Sequence, residues 1–416
     1  MTNSERQRDE EVPKWLTKDF IENSLRKKYN SETFKIKSFF TTMATAVGDH
    51  YCSQMFRVNY EYTIRDNNTD KKSSVIVKTM PPGDLGKFLS KMPSFDVESE
   101  ALGIILPRVH EMMAKVYPKQ PKLWPDCYYY RGSPENIIVM EDLKLSGFVL
   151  GNGFQGLDYE HSSLVIESLA KLHATSFVLL QEKPETFENL IKIFSKVDNV
   201  EILQNTTEGT INFLIEDMKS WNDFDKKSIY IDKLSKVEVL IRVLDVWKND
   251  DGNLKVLIHG DSWLNNYMFK YGTDGKLSGM KFVDFQIMSI HSPAMDLVYF
   301  IFTSVLHDNK LEMIDVLLEN YYKVFSGTLK KFNRDPEMIY PFEELKKNFE
   351  SKLFWGFVVF CAFVPIMMMP KEDVVHPEEF ITKNDKTEFH RKVFGKERIK
   401  NLLIKVIGYF IDKNVI

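Results

Sequence analysis

The side chains best suited to chemistry lie in one segment, residues 256–286, which reads VLIHGDSWLNNYMFKYGTDGKLSGMKFVDFQ. An apolar run at 256–258 leads into His259-Gly260-Asp261, and Asn266 follows five residues after Asp261. A second apolar run, 280–283, leads into Asp284. Carboxylate and amide oxygens are hard ligands that suit Mg²⁺, and protein-bound Mg²⁺ commonly accompanies phosphates.

We expect the two apolar runs to be strands that the polar turn GTDGKLSG folds into a hairpin. The hairpin would bring Asp261, Asn266 and Asp284 to one end. Turn residues that hydrogen-bond their own backbone would explain a single Asp or Asn in such a place. The set as a whole has the order and spacing of a kinase catalytic loop and its metal-binding Asp, which favours a phosphoryl-transfer site.

Lys78 ends the apolar run at 75–77. An ammonium group at the end of a buried strand is costly unless it finds an anion, and a phosphate would serve. Glu98, on the predicted helix that follows, is its candidate partner. The alternative is a strand-end charge that reaches water.

Two further segments could contact a nucleotide. Gly48-Asp49 lies where a loop covering the phosphates belongs, although a single glycine is a weak signal for a backbone anion site. Met140, Glu141 and Leu143 close the last predicted strand. As a hinge, this segment would offer backbone N–H and C=O groups to adenine.

Hydrophobic periodicity predicts an α+β fold with two lobes. The runs at 57–66 and 73–80 are strand-like, since they alternate or are rich in β-branched and aromatic residues, and a polar turn, NNTDKK, joins them. Two more strand candidates follow at 126–131 and 136–141. Helical spacing marks 97–116, which Pro107 ends or kinks, and 163–181. We therefore expect a nucleotide-binding sheet lobe at 1–143 and a larger helical lobe at 144–416 that carries the catalytic segment.

Composition excludes several classes of protein. Lys plus Arg total 55 and Asp plus Glu total 59, which gives a net charge of −4 and argues against a nucleic-acid groove. Three cysteines are too few for a disulfide framework. The N-terminus has no apolar leader, so we expect a cytoplasmic protein.

One uncharged segment, residues 353–369 (LFWGFVVFCAFVPIMMM), has the composition of a membrane span. It contains Pro365 and is shorter than the roughly 20 residues that cross a bilayer. We predict a buried helix without stable membrane insertion, and keep membrane anchorage as the alternative.

The chain resembles a known family, the ecdysteroid kinase-like proteins of arthropods, within the choline kinase and aminoglycoside phosphotransferase superfamily. The resemblance is carried by three motifs: His259-Gly260-Asp261 with Trp263, Asn265 and Asn266; Val283-Asp284-Phe285-Gln286; and Ser292-Pro293-Ala294-Met295-Asp296-Leu297. It implies a protein-kinase-like bilobed fold that uses ATP and Mg²⁺.

The same resemblance implies residue roles. Asp261 would be the catalytic base, and Asn266 and Asp284 would hold Mg²⁺. Lys78, oriented by Glu98, would contact the α- and β-phosphates. Asp296 would be a buried acid that supports the catalytic loop.

The phosphoryl acceptor is expected to be a small molecule. Asp-Phe-Gln replaces Asp-Phe-Gly, and the stretch before Ser292 is too short for a segment that docks a peptide. We expect an ecdysteroid or a similar lipophilic alcohol, with the 353–369 helix as one wall of its pocket, although plain core packing would also explain that helix. Choline-like or xenobiotic alcohols, and a catalytically silent binding protein, are the alternatives. We expect a monomer with no nucleic-acid partner.

Overall fold

The structure is a computed structural model that describes residues 12–31, 33–44, 53–64, 67–151, 155–194, 200–248, 254–369, 394 and 396–416. By contacts, the chain divides into two compact units. The first comprises Met1–Ser90 and Pro125–Ser146, and the second comprises Lys91–Trp124 and Gly147–Ile416. Sheet and helix are both abundant, so the predicted α+β class is confirmed.

The first unit is built on an antiparallel sheet. Its elements are α1 (Lys18–Tyr29), β1 (Lys35–Met43), β2 (Gln54–Ile64), β3 (Asn67–Thr79), α2 (Gly83–Leu89), β4 (Cys127–Arg131) and β5 (Ile137–Glu141). The strands lie in the order β1-β2-β3-β5-β4, and each neighbouring pair is antiparallel. Buried and half-exposed residues alternate along β2, because one face of the sheet covers a core.

The predicted pairing of the first two strand-like runs is confirmed, but the predicted turn NNTDKK is wrong, because β3 already begins at Asn67. This end of β3 pairs with β2 alone, since β5 pairs only with Val75 to Thr79. Polar side chains are tolerated there. Lys72 Nζ, for example, lies 2.9 Å from the Glu61 carboxylate on the neighbouring strand.

The second unit contains the remaining elements. They are α3 (Ser94–Glu100), α4 (Leu106–Ala114), β6 (Phe148–Leu150), α5 (Tyr159–Glu182), α6 (Glu188–Phe194), α7 (Val200–Lys219), α8 (Lys227–Ser235), α9 (Val239–Lys248), β7 (Val256–Ile258), β8 (Tyr267–Tyr271), β9 (Leu277–Phe282), β10 (Ser289–His291), α10 (Ala294–Ser304), α11 (Ile314–Lys331), α12 (Pro336–Ile339), α13 (Phe342–Ser351), α14 (Leu353–Met367) and α15 (Glu397–Asp412). Short helical turns also occur at Ala101–Ile105, Pro184–Phe187 and Leu264–Asn266.

Residues 91–124, which the sequence analysis assigned to the sheet lobe, pack with the second unit. α3 contacts α6, and α4 contacts α5, so this segment buries its apolar face among helices. The helical path runs from α3 through a π-helical turn (Ala101–Ile105) into α4. Pro107 lies in the first turn of α4, where a missing N–H costs least.

The strands of the predicted catalytic hairpin have different partners in the structure. β7 pairs with β10, and the hairpin is formed by β8 and β9. The prediction that 256–258 pairs with 280–283 is therefore wrong. β8 lies directly before the turn and therefore pairs with β9, the strand that follows the turn. β7 pairs with β10, which is the next strand along the chain.

The apolar segment 353–369 forms α14 and is mostly buried, as predicted. Within the described residues, α5 is the single continuous helix with the length and composition of a membrane span, and 67% of its most apolar window is buried inside the protein. Pro336–Ser351 and Leu353–Met367 would pass the same test only as one span bent by 50°.

The crossing of α10 and α14 generates a stability prediction. A Cβ atom on Gly356 would lie 2.7 Å from Cδ2 of Phe302, a fully buried ring with little room to move. We expect Gly356→Ala to lower the free energy of unfolding by about 1–3 kcal/mol. Urea unfolding of the purified variant measures the change.

Gly327→Ala is the matched control. Gly327 lies inside α11, and nothing stands within 4 Å of the added Cβ. Alanine should stabilise a helix interior by roughly 0.5–1 kcal/mol relative to glycine. Equal effects of the two substitutions would contradict the close approach of α10 and α14.

Candidate active site

The loop that carries Asp261 depends on a glycine. Gly260 has φ +82°, and a Cβ atom there would lie 2.3 Å from the carbonyl oxygen of Ile287. A side chain is therefore excluded on two grounds, the backbone conformation and the lack of space. Gly260 therefore allows a sharp turn of the chain after β7, directly before Asp261.

Asp296, in the first turn of α10, holds this loop. Its Oδ2 accepts a hydrogen bond from the His259 amide at 2.7 Å, and its Oδ1 accepts one from the Gly260 amide at 2.9 Å. The side chain is fully buried. The predicted supporting role of Asp296 is confirmed by these contacts.

His173 completes the support from α5. Its Nε2 lies 3.1 Å from Asp296 Oδ2, and its Nδ1 lies 2.9 Å from the Tyr321 hydroxyl. With both ring nitrogens satisfied and no exposure, His173 is a structural histidine that orients the acid.

Both carboxylate oxygens of Asp261 are engaged. The Asn266 amide nitrogen donates to Oδ2 at 2.9 Å and also to the Asp261 carbonyl oxygen at 2.9 Å. The Tyr299 hydroxyl donates to Oδ1 at 2.8 Å. The sequence analysis missed Tyr299, because no local pattern relates a residue on α10 to the loop before β8.

Asp284 follows β9 and adopts φ +66°, which is uncommon for a residue other than glycine. The Val283 amide donates to the Asn266 carbonyl at 3.0 Å, and His259 Nε2 lies 3.1 Å from the Val283 carbonyl oxygen. These bonds join the end of β9 to the Asp261 loop. Backbone strain at a polar residue is typical of functional sites.

The two carboxylates influence each other. Burial raises the pKa of Asp261 above its usual value, and the nearby charge of Asp284 raises it further. The charge of His259 and the hydrogen bonds from Tyr299 and Asn266 act in the opposite direction. A bound cation would relieve the repulsion between these acids.

The donor set fits Mg²⁺. Among the described residues, no group of three or more His, Cys, Asp or Glu side chains could form a complete protein cage for a metal. Mg²⁺ does not need one, since it is usually bound by one or two carboxylates together with substrate phosphates and water. Asp284 and the side-chain oxygen of Asn266 can serve as such ligands, because the Asn266 nitrogen is the atom committed to Asp261.

Lys78 and Glu98 are both buried, with exposed fractions of 3% and 2%. Lys78 lies on β3 in the first unit, opposite Met55 of β2 and Ile138 of β5. Glu98 lies on α3 in the second unit. Their pairing stays a prediction.

The predicted adenine segment begins inside β5, which contains Met140 and Glu141, and continues to Leu143 after the strand. Met140 is buried opposite Ile76 of β3, and Leu143 is also buried. The Glu141 amide donates to the Asp126 carbonyl at 2.8 Å, so this N–H is already engaged. Gly48 and Asp49, the predicted phosphate loop, lie outside the described residues.

Asp142, which the sequence analysis did not name as a site residue, fixes the chain directly after β5. Asp142 accepts hydrogen bonds from Arg57 Nε and from the Ser74 hydroxyl, each at 2.7 Å. Burial would raise the pKa of Asp142, but these two donors outweigh it and hold the pKa below the usual value. β2, β3 and the segment after β5 are thereby tied together.

Comparison with known proteins finds similar solved structures and a family model that matches the sequence. No curated protein matches the sequence. An ethanolamine kinase from Plasmodium vivax has a similar structure, with a TM-score of 0.43, 12% identity, and coverage of 96% of this chain and 97% of that one. A sequence model of the ecdysteroid kinase-like family matches residues 47–334, about two thirds of the chain. The chain therefore belongs to the ecdysteroid kinase-like family.

Proposed function

We propose that the protein is an ATP- and Mg²⁺-dependent small-molecule kinase that transfers the γ-phosphoryl group to a hydroxyl of an ecdysteroid or a similar lipophilic alcohol. Membership of the family supports small-molecule kinase chemistry. The observation that carries the proposal is the grouping of Asp261, Asn266 and Asp284 around one rigid loop. These residue types in this order suit phosphoryl transfer.

In the proposed reaction, the acceptor oxygen bonds to the γ-phosphorus, the bond to the ADP oxygen breaks, and the hydroxyl proton passes to the Asp261 carboxylate. Tyr299 and Asn266 fix that carboxylate, so it need not reorient during the transfer. Asp284 and Asn266 are the proposed ligands of Mg²⁺, which when bound would neutralise phosphate charge.

The nucleotide contacts are proposed from sequence position and family resemblance. Lys78 contacts the α- and β-phosphates and is oriented by Glu98. Gly48 and Asp49 belong to the loop that covers the phosphates, and residues 140–143 offer backbone groups to adenine. Lys78 follows the apolar run at 75–77 of β3, which suits an ammonium that meets an anion.

The protein is further proposed to act as a cytoplasmic monomer with no nucleic-acid partner. A screen of the purified chain with ATP against ecdysteroids, choline and plant-derived alcohols, read by mass spectrometry of the product, tests the reaction and identifies the acceptor. A chain that binds these compounds without phosphorylating any of them would instead be a binding protein.

Asp261→Asn separates catalysis from stability. The variant keeps the shape of the side chain but cannot accept a proton, so kcat should fall by about 10²–10⁴. The same change removes a buried charge. Because the pKa of Asp261 is raised on folding, the wild type loses stability as pH rises from its unfolded pKa of about 3.9 through the higher folded pKa.

The variant should therefore be more stable than the wild type at neutral pH, by about 1.4 kcal/mol for each unit of pKa shift, and the difference should vanish at acidic pH. Urea unfolding at several pH values measures it. Asp274→Asn, an exposed site in the β8–β9 turn, is the control and should change neither property. An Asp261→Asn enzyme with full activity would contradict the role of base.

Asp284→Asn tests the metal site by ligand-induced stabilisation. Mg²⁺ with ATP at 100 times its Kd should stabilise the wild type by about 2.7 kcal/mol, which thermal unfolding detects as a rise in Tm. The variant should lose the part of this rise that depends on Mg²⁺, because a carboxylate ligand is missing. Asp274→Asn should respond as the wild type does, and an unchanged response of Asp284→Asn would show that Mg²⁺ binds elsewhere.

A further inference from the structure

Three side chains outside the candidate active site form a chain of hydrogen bonds at the start of α5. Oδ1 of Asp158, the residue before α5, lies 2.7 Å from His161 Nδ1. The other ring nitrogen, Nε2, lies 2.8 Å from the hydroxyl of Tyr271 at the end of β8. Carboxylate, imidazole and hydroxyl in this order are the arrangement that activates an oxygen nucleophile. We call Asp158, His161 and Tyr271 the surface triad.

The hydrogen bonds determine which ring nitrogen of a neutral His161 carries the proton. Burial would raise the pKa of Asp158, but hydrogen bonds from the amide and the ring of His161 outweigh it and lower the pKa. An ionised carboxylate only accepts hydrogen bonds, so Nδ1 is the donor to Asp158. Nε2 then accepts the bond from the Tyr271 hydroxyl, and it can take the hydroxyl proton.

Contacts on each side hold the surface triad in place. Asp158 is the N-cap of α5, where its Oδ1 also accepts the His161 amide at 3.0 Å. The His161 ring meets the Phe269 ring edge-on at 4.9 Å, which holds it against β8. Tyr271 pairs with Leu277 of β9. The base is therefore already oriented towards the hydroxyl in the folded protein.

The surface triad is open to solvent at Tyr271. Tyr271 is 41% exposed, whereas the side chain of His161 is only 18% exposed. Val149, on the neighbouring strand β6, pairs with Phe269, two residues before Tyr271, and leaves further apolar surface exposed there. A reagent can therefore reach the hydroxyl while most of the imidazole is shielded from water.

The charges around the Tyr271 hydroxyl favour an uncharged reagent. Burial raises the pKa of Tyr271, and the charges of Asp158 and Glu160 raise it further. Little phenolate is present near neutral pH, so the hydroxyl needs a base at the moment of attack. The same two carboxylates repel an anionic donor such as a phosphate ester, whereas an uncharged acyl group meets no such repulsion. Lys270, the adjacent residue of β8, has its ammonium 5.6 Å from the ring centre of Phe148.

We propose that Tyr271 is a nucleophile at which an uncharged activated ester or thioester acylates the protein, with His161 as the general base and Asp158 as a positioning residue. The Tyr271 oxygen bonds to the acyl carbon, and the bond from that carbon to the leaving oxygen or sulfur breaks. The hydroxyl proton passes to His161 Nε2 and then to the leaving group. The product is an acyl-tyrosine. The step uses no ATP, so it is independent of the proposed kinase function.

Acetylation of the full chain by p-nitrophenyl acetate, followed by peptide mass spectrometry, measures the reactivity of each tyrosine. Tyr159 is the internal reference, because it is 53% exposed and, among the described residues, no histidine is bonded to its hydroxyl. Near neutral pH, Tyr271 should be acetylated at least about 10-fold faster than Tyr159, since a positioned base contributes about 10²–10⁴-fold. Equal or slower acetylation of Tyr271 would overturn the proposal.

Three substitutions test the surface triad itself. Tyr271→Phe should abolish acetylation of the peptide that contains this position. His161→Gln keeps a hydrogen-bonding side chain suited to the first turn of α5 but supplies no base. Asp158→Asn keeps the N-cap but loses the charge that supports the ring. The last two variants should acetylate Tyr271 about 10-fold or more slowly, with the rate at Tyr159 unchanged.

The direction of the change separates this role from a structural one. If the surface triad only fastened the start of α5 to β8, His161→Gln and Asp158→Asn would loosen the segment and expose Tyr271. Its acetylation would then stay the same or become faster, and either result would overturn the proposal. Thermal unfolding confirms that each variant is folded.

Asp335→Asn is the matched control. Asp335 is another exposed N-cap aspartate, at α12, where its side chain accepts the Glu337 amide at 3.0 Å. The substitution should leave the acetylation of Tyr271 unchanged. An equal loss in Asp335→Asn would show that the effect of Asp158→Asn does not come from the surface triad, and the proposed role of Asp158 would be wrong.

Discussion

The candidate site depends on one buried carboxylate, Asp296, that binds two consecutive backbone amides. A loop that turns through Gly260 exposes the N–H groups of His259 and Gly260 to the protein interior, where an unpaired donor costs free energy. Asp296 accepts both bonds and is itself oriented by His173. Because Asp296 belongs to α10 and His173 to α5, the loop that carries Asp261 is fixed by the two helices around it.

That rigidity lets the protein keep an unfavourable arrangement of charge. Asp261 is buried near Asp284, and both effects raise the pKa of Asp261, so the ionised pair opposes folding in the absence of a cation. Strained backbone at Asp284 adds to the cost. A site selected for stability alone would not contain these features, whereas a site that receives Mg²⁺ and phosphates uses them. Local instability here is thus a physical sign of function.

How far the sequence predicted this structure depended on the range of each interaction. Helical spacing of apolar residues predicted α5, and short runs of aromatic or β-branched residues predicted β4 and β5, because those signals are local. The pairing of β7 was mispredicted, because a strand of three residues carries no information about its partner. The order and spacing of the motifs predicted the site residues Asp261, Asn266 and Asp284. Tyr299 could not be found in this way, since its contact with Asp261 joins residues 38 apart across a helix packing that no motif records.

The apolar segment of α14 illustrates what burial decides and composition does not. By composition alone, the helix suits a membrane, a core or a ligand pocket equally well. In the fold, α10 lies against it so closely that Gly356 is required, and the rings on that side are buried. What remains half-exposed is the side where Trp355 and Phe363 meet Tyr299. One helix therefore stabilises the second unit with one face and presents aromatic surface beside Asp261 with the other.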